Sequence, residues 1–398
     1  MDFDLSWLLL GLPLAFVLGW LASRFDLRQL RLENRQAPKA YFRGLNFLLN
    51  EQQDQAIDAF IEAVQNDPDT QELHFALGNL FRRRGEYQRA VRVHEHLLSR
   101  GDLSRADRDR AQHALAQDFL RAGLLDRAEA ALQKLEGTRY ENEARLSLLA
   151  IYERSREWTQ ASEVARKLDE SDQASYGTRR AHYLCEQAAE HVSRAELDEA
   201  ARLLQQATEI APTAPRPAIE SATLQLRNGE PAKAFDTLVA LSETAPLTLP
   251  LYASLLQQAG AASQRTGEAL ALLQRRYAAA PSIDVVDAIV ALGGTTLATP
   301  EVAAQAGTDN AAATCPRDSY VAHLQHQPSL AAATRWLAGE RFEREALHPP
   351  VQRALDNAVR PLMRYRCAAC GFEAHQYFWH CPGCQAWDSY PPRRVEEL

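Results

Sequence analysis

Apolar and small residues recur along the middle of the chain with the spacing of paired amphipathic helices. The clearest step is 34 residues, since Gly44 and Gly78 are 78 − 44 = 34 apart and each precedes alanine and aromatic positions at matching offsets. Ala200 and Ala234 repeat the step later in the chain (234 − 200 = 34). This periodicity predicts a series of helical hairpins.

The order of large and small positions matches the tetratricopeptide repeat, which has a period of about 34 residues. Strong and weaker copies contain Ala56, Ala90, Ala128, Ala161, Ala200, Ala234 and Ala269. One hairpin cannot bury its apolar face alone, so stacked neighbours are expected to form an all-α superhelix over residues 37–292. Terminal helices and a flexible loop are expected in residues 293–362. The alternative is a chance alternation of alanine and leucine in ordinary helices.

Residues 5–22 form an uncharged apolar segment of 18 residues. At about 1.5 Å per residue, a helix of this length reaches ~27 Å, close to the ~30 Å hydrocarbon core of a bilayer. Residues 1–23 are therefore predicted to be a transmembrane anchor, and residues 24–36 a basic juxtamembrane linker. Because arginines follow the segment, the bulk of this single-pass protein is expected to lie on the cytoplasmic side of the membrane. A buried core helix is the alternative.

The charge balance argues against nucleic-acid binding. The 398-residue chain has 44 Lys and Arg against 52 Asp and Glu, a net charge of −8. A protein that binds phosphates through a basic surface is usually cationic.

The sequence also contains no P-loop, nucleophile elbow or paired-histidine zinc motif, so we expect no enzymatic activity.

Four of the six cysteines lie in the last 32 residues, in a C-x2-C-x10-C-x2-C pattern. They are Cys367, Cys370, Cys381 and Cys384. Two residues between cysteines allow one tight turn to present both sulfurs to one ion, and two such turns complete a tetrahedron. Residues 363–398 are therefore predicted to be a small metal-binding domain that holds one iron or zinc ion.

Several alternatives bear on this cysteine site. Two disulfides would fit the pairing but not a reducing cytoplasm. His375 and His380 are interpreted as surface residues, because four thiolates already fill a tetrahedral shell. Cys185 and Cys315 receive no role. Gly371 is expected to adopt a positive φ that points backbone N–H groups at sulfur.

The first helices of the repeats offer a candidate binding groove for an acidic partner segment. Its polar and cationic lining is predicted to include Asn79, Arg82, Arg83, His113, Gln117 and Arg121. The alternative is that these side chains form an ordinary solvated helix face.

The apolar amino terminus, the repeats and the terminal C-x-x-C-G-F … W-H-C-P-x-C-x-x-W motif together resemble the lipopolysaccharide assembly protein B family. The cysteine turns are also similar to those of rubredoxins, although the ten-residue gap is shorter. Gln385 replaces the usual glycine after the second turn, which argues against independent electron transfer.

The resemblance implies an adaptor that regulates lipopolysaccharide synthesis. Its implied partners are a membrane-anchored ATP-dependent protease, the committed-step deacetylase of lipid A synthesis, and an inner-membrane regulator with a periplasmic domain. It also implies that the metal domain packs on the repeats, and it leaves room for a homodimer. Two alternatives are a scaffold that gathers biosynthetic enzymes and a redox protein with iron at the four cysteines.

Overall fold

The computed structural model describes residues 16–18, 20, 39–40, 42–66, 70–171, 175–293, 317–341 and 348–398. Most of the predicted anchor, the basic linker and Cys315 lie outside these residues. Among the residues described, no helix combines the length and the apolar character needed to cross a bilayer. The chain divides into two compact units, residues 1–156 and 157–398.

The first unit is built from antiparallel helices. After a helical segment at residues 42–49, its helices are α1 (Gln53–Asn66), α2 (Gln71–Arg83), α3 (Tyr87–Ser99), α4 (Arg105–Ala122), α5 (Leu125–Gln133) and α6 (Glu141–Ser155). Short connections require neighbouring helices to pack against each other, so each hairpin shares a core with the next.

The second unit begins with the same hairpin pattern. Its helices are α7 (Trp158–Ser171), α8 (Gly177–Ser193), α9 (Leu197–Ile210), α10 (Pro215–Arg227), α11 (Pro231–Thr244), α12 (Leu249–Ala262), α13 (Thr266–Ala279) and α14 (Ile283–Ala291). Proline occupies the first turn of α10 and of α11. It is tolerated there because the first helical N–H groups have no intrahelical acceptor.

The predicted small positions are the places where helices approach most closely. Each of the seven repeat alanines identified from the sequence has 0% exposure. At Gly78, an added Cβ would lie 2.5 Å from two atoms of the His94 ring. Only glycine leaves room for that ring, so the two helices of this hairpin are in close contact.

Within the described residues 317–341 and 348–398, three helices precede the cysteine-rich segment: α15 (Asp318–His326), α16 (Leu330–Leu337) and α17 (His348–Val359). Helix α17 begins at His348, so Pro349 and Pro350 lie in its first turn rather than in a break before it. Strands β1 (Tyr365–Arg366) and β2 (Glu373–Ala374) then pair antiparallel, with Tyr365 opposite Ala374.

Candidate metal centre

Two tight turns, each closed by a backbone hydrogen bond, present the cysteines. The N–H of Gly371 donates to the carbonyl of Cys367 at 2.9 Å, and the N–H of Gln385 donates to the carbonyl of Cys381 at 2.8 Å. Gly371 has a φ of +77°, as predicted, and Gln385 has a φ of +60°. The second turn therefore keeps the left-handed geometry although a side chain replaces the glycine.

The four sulfurs form a cluster of the right size for one tetrahedral ion. All four Sγ atoms lie within 4.8 Å of one another. The Sγ atoms of Cys367 and Cys384 are 3.8 Å apart, and those of Cys370 and Cys381 are 3.7 Å apart. A tetrahedron with metal–sulfur distances of about 2.3 Å has edges of about 3.8 Å. The residues therefore fit one iron or zinc ion, which confirms the predicted cofactor.

Hydrogen bonds inside the centre favour thiolate at two of the ligands. Burial raises the pKa of Cys367, but the hydrogen bond between its sulfur and the Ser389 hydroxyl and one from the backbone N–H of Cys370 outweigh it and lower the pKa to about 6. Burial likewise raises the pKa of Cys381, and the backbone N–H of Cys384 helps to bring it below its ordinary value. Thiolate is the form that binds metal.

The two neighbouring histidines are outside the sulfur cluster. The Nε2 of His380 lies 3.0 Å from the carbonyl oxygen of Gln385, and its ring stacks on Trp387 with 4.3 Å between centroids. His375 accepts a hydrogen bond at its backbone carbonyl from Arg394. Neither imidazole belongs to the described group of metal-ligating atoms.

Within the second unit, Trp387 joins the metal module to the helices rather than filling the module's own core. Its ring stacks on His182 of α8 at 4.8 Å and meets Trp158 and Tyr183 edge-on. The Nε2 of His182 lies 2.9 and 3.0 Å from the two carboxylate oxygens of Asp388. The buried imidazole is therefore held on its face by an indole and at its edge by a carboxylate.

A second attachment lies at the other side of the module. Arg394 donates two hydrogen bonds of 2.9 Å to the carboxylate of Asp284 on α14 and one of 2.9 Å to the carbonyl of Met363. Its guanidinium also lies 4.1 Å from the centre of the Tyr365 ring. A bidentate ion pair of this kind restricts orientation as well as distance.

Two carboxylates that follow Arg394 cap two helices. Glu397 accepts a hydrogen bond of 2.6 Å from the N–H of Ile283, the first residue of α14. Glu396 accepts bonds from the Ser329 hydroxyl at 2.8 Å and from the N–H of Ala331 on α16 at 3.1 Å. Negative charge is stabilising at helix N-termini, where N–H groups lack intrahelical acceptors. We refer to residues 394–397 as the clip.

The aromatic core of the module is small. Tyr365, Tyr377, Phe378 and Tyr390 pack around the buried cysteines. Phe372 lies outside this cluster and is 42% exposed. Trp387 is used at the contact with α8.

The predicted groove residues lie on α2 and α4 of the first unit. Arg82 donates to the fully buried Asp118 at 2.9 Å and to the carbonyl of Ala114 at 3.0 Å, and it contacts Asn79. Asp118 also lies 2.5 Å from the Nδ1 of the buried His94. Arg82 therefore neutralises an internal carboxylate, a role that the repeat pattern did not indicate.

The other predicted groove residues are less constrained. His113 stacks on Tyr140 at 4.6 Å, and its Nε2 is 3.4 Å from the Gln117 amide nitrogen. Arg83 and Arg121 are exposed. The groove remains a prediction, with these two arginines as its accessible cations.

The clip and the His182–Asp388 contact were missed at the sequence level. The contacts to α8, α14 and α16 join residues 65 or more positions apart, and local patterns carry no information at such separations. The one local signal for the clip was a pair of adjacent glutamates, Glu396 and Glu397.

The family models that match this chain agree with this architecture. Residues 365–391 match the model described as "Rubredoxin metal binding domain", and residues 73–109 and 192–259 match tetratricopeptide repeat models. A crystal structure of a tetratricopeptide repeat protein from Parabacteroides merdae aligns with a TM-score of 0.33 and 16% identity, covering 65% of this chain and 99% of that chain.

Two curated relatives extend over nearly the whole chain. Lipopolysaccharide assembly protein B of Haemophilus influenzae is 26% identical, with 98% of each chain covered. The protein of the same name from Escherichia coli K12 is 32% identical over 406 aligned residues, again with 98% of each chain covered. Identity at this level over the full length, together with the repeats and the four-cysteine centre, shows that the chain belongs to the lipopolysaccharide assembly protein B family.

Proposed function

We propose that this chain is a non-enzymatic adaptor that regulates lipopolysaccharide synthesis. The observation that carries the proposal is the similarity to lipopolysaccharide assembly protein B across 98% of both chains. Helical repeats of this type provide extended surfaces for other proteins. A role in bringing proteins together therefore fits both the family and the architecture.

In the finer mechanism that we propose, the chain brings the committed-step lipid A deacetylase to a membrane-anchored ATP-dependent protease. An inner-membrane regulator with a periplasmic domain restrains this activity. No bond is made or broken by the adaptor itself. Holding substrate and protease side by side raises their effective concentration, to about the millimolar range for a short tether.

Attachment to the inner membrane is part of this proposal. Residues 5–22 supply an uncharged segment, and Arg24, Arg28, Arg31 and Arg35 follow it. Positive charges next to a spanning segment favour the cytoplasmic side. The repeats and the metal module would then face a cytoplasmic substrate.

The metal centre has a structural part in the proposed mechanism. When bound, the ion supplies a cross-link among four thiolates that stabilises a module too small to fold well on its own apolar core. Asp388 and the clip then hold that module against α8, α14 and α16. Partner surfaces on the module and on these helices are thereby kept in one arrangement.

The proposal is tested by the half-life of the deacetylase in cells depleted of this protein. Depletion is expected to lengthen the half-life, and the full chain to restore it. A chain without residues 1–22 is expected to restore it poorly while still binding the deacetylase in vitro. An unchanged deacetylase half-life in depleted cells would instead support the scaffold alternative.

The groove is tested in the same cells by reversing charge where it does not disturb the interior. Arg83→Glu with Arg121→Glu changes two exposed side chains, whereas Arg82→Glu would also place a carboxylate beside Asp118. The double variant is expected to weaken deacetylase binding and to lengthen its half-life.

Zinc-loaded protein with full cellular activity would exclude the redox alternative.

A further inference from the structure

A cavity in the first unit lies apart from the predicted groove residues. Helices α3, α4 and α5 and the Arg100–Gly101 connection line an open cavity with a volume of about 640 Å³. Ligand pockets in proteins usually have volumes of about 300–1,000 Å³. The cavity is therefore large enough for a short peptide segment, and none of the six predicted groove residues lines it.

The lining of this cavity has the opposite charge from the protein as a whole. Arg100, Arg108, Arg127 and Lys134 line it, together with one carboxylate, that of Glu95. The chain has a net charge of −8. A local cluster of four cations in an acidic protein produces a positive potential that attracts anionic ligands.

The four cations differ in how firmly they are already engaged. Arg100 donates two hydrogen bonds to Asp102, at 3.0 and 2.7 Å, and Arg127 donates one of 2.9 Å to Glu95. In the described part of the chain, the exposed side chains of Arg108 and Lys134 form no ion pair. These two are the cations that are available to a ligand.

The cavity also has an apolar part. Leu98 of α3 is half-buried and contributes apolar surface to its wall, whereas Leu115 and Phe119 of α4 form its base and are only 7% and 4% exposed. Arg127 lies 4.3 Å from the centre of the Phe119 ring, which places a cation beside this apolar base. A small inorganic anion would satisfy the cations and leave Leu98 uncovered.

We propose that this cavity binds an acidic peptide segment of a partner protein, with carboxylates on Arg108 and Lys134 and an apolar side chain against Leu98. Charge complementarity selects the carboxylates, and the apolar wall distinguishes a peptide from a bare anion. The inference concerns a binding site and does not depend on the proposed role in lipopolysaccharide regulation. It adds a second docking surface to the predicted groove.

The test uses the full chain and a fluorescein-labelled peptide in which Asp and Glu alternate with Leu and Phe. Binding is followed by fluorescence anisotropy, with the Asn and Gln version of the peptide as the ligand control. The acidic peptide is expected to bind and the neutral peptide to bind weakly. Arg108→Glu with Lys134→Glu is expected to weaken binding by about tenfold or more, as for loss of direct charge contacts.

The matched protein control is Arg202→Glu with Arg275→Glu, which changes the net charge equally at two exposed side chains outside both the cavity and the predicted groove. This pair is expected to leave peptide affinity within about twofold, because more distant charges are screened by salt. Arg108→Gln with Lys134→Gln provides a milder second variant, and circular dichroism checks that all variants are folded.

Three results would overturn the inference. The first is an equal loss of affinity in both charge-reversal pairs, which would indicate attraction by net charge alone. The second is that the changes at Arg108 and Lys134 leave the affinity unaltered, or that the unchanged protein does not bind the peptide at all. The third is displacement of the peptide by inorganic phosphate or by anionic lipid vesicles, which would assign the cavity to phosphate chemistry.

Discussion

Arg394 and Asp284, which are 110 residues apart in the chain, face each other through two hydrogen bonds of 2.9 Å. Both side chains are largely buried, with exposures of 17% and 15%. A charge pair removed from water is sensitive to the loss of either member, because the remaining charge is left without compensation. This contact is a main attachment of the metal module to α14.

Arg394→Leu is expected to lower the free energy of unfolding by about 3 kcal/mol, because it leaves the carboxylate of Asp284 buried and unpaired. Urea unfolding followed by circular dichroism measures the change. Arg202→Leu is the matched control, since Arg202 pairs with Glu199 on the surface and is 55% exposed. That control is expected to change stability by at most about 1 kcal/mol. Equal effects would contradict the importance of the buried pair.

Removal of the metal is expected to affect more than the module itself. Because the clip caps α14 and α16, loss of the folded module should increase hydrogen exchange at the first turns of both helices. The fluorescence of Trp387 should change in the same titration. Exchange in α1–α5, which lie in the other unit, provides the internal control. Unchanged exchange and fluorescence after complete chelation would contradict this prediction.

Asp287 on α14 should make stability depend on pH. Burial raises its pKa to about 6 from an ordinary value of 3.8, although Arg335 and a hydrogen bond from Tyr320 act in the opposite direction. A carboxyl with a raised pKa favours the folded state most when it is protonated. Its contribution is therefore complete below about pH 4 and is lost as the pH rises to about 6, with a total of about 3 kcal/mol.

The pH prediction is checked by comparing the unchanged protein with Asp287→Asn across this range. The free energy of unfolding of the unchanged protein minus that of Asp287→Asn should fall as the pH rises from about 4 to about 6. Other titrating groups, including the cysteines, are common to both proteins and cancel in the difference. A difference that is constant with pH would show that the Asp287 carboxyl does not titrate there.

Gly78→Ala is expected to destabilise the first unit by about 1–3 kcal/mol, as overpacking does in other cores. The new Cβ would lie 2.5 Å from the His94 ring, and Asp118 holds that ring in place. Gly101→Ala is the control, because a Cβ there meets no atom within 4 Å. Thermal unfolding that ranks the two variants equally would contradict the predicted clash.

The sequence was sufficient for features that depend on local spacing. Ala90 and Ala128 are fully buried because the repeat pattern places small residues where two helices touch. Cys367 and Cys370 share one turn because a spacing of two intervening residues presents both sulfurs from a single tight turn. Such features are specified by neighbours in the chain, so periodicity and motif spacing predict them well.

Features that depend on distant partners were not predicted. Arg82 was interpreted as groove lining because its helical register faces inward, yet Asp118, 36 residues away, uses its charge in the interior. Gln385 shows a related limit, since its backbone adopts the left-handed conformation expected of glycine. Its N–H bond to Cys381 offsets part of the strain, and residue type alone does not reveal that compensation.

The long separation between the partners of the clip has a consequence for proteolysis. The bonds from Arg394 to Asp284 and from Glu397 to Ile283 close a loop of more than a hundred residues without a covalent cross-link. A single cleavage inside that loop would therefore yield two fragments that remain associated under native conditions. They would separate on a denaturing gel while migrating as one species in gel filtration.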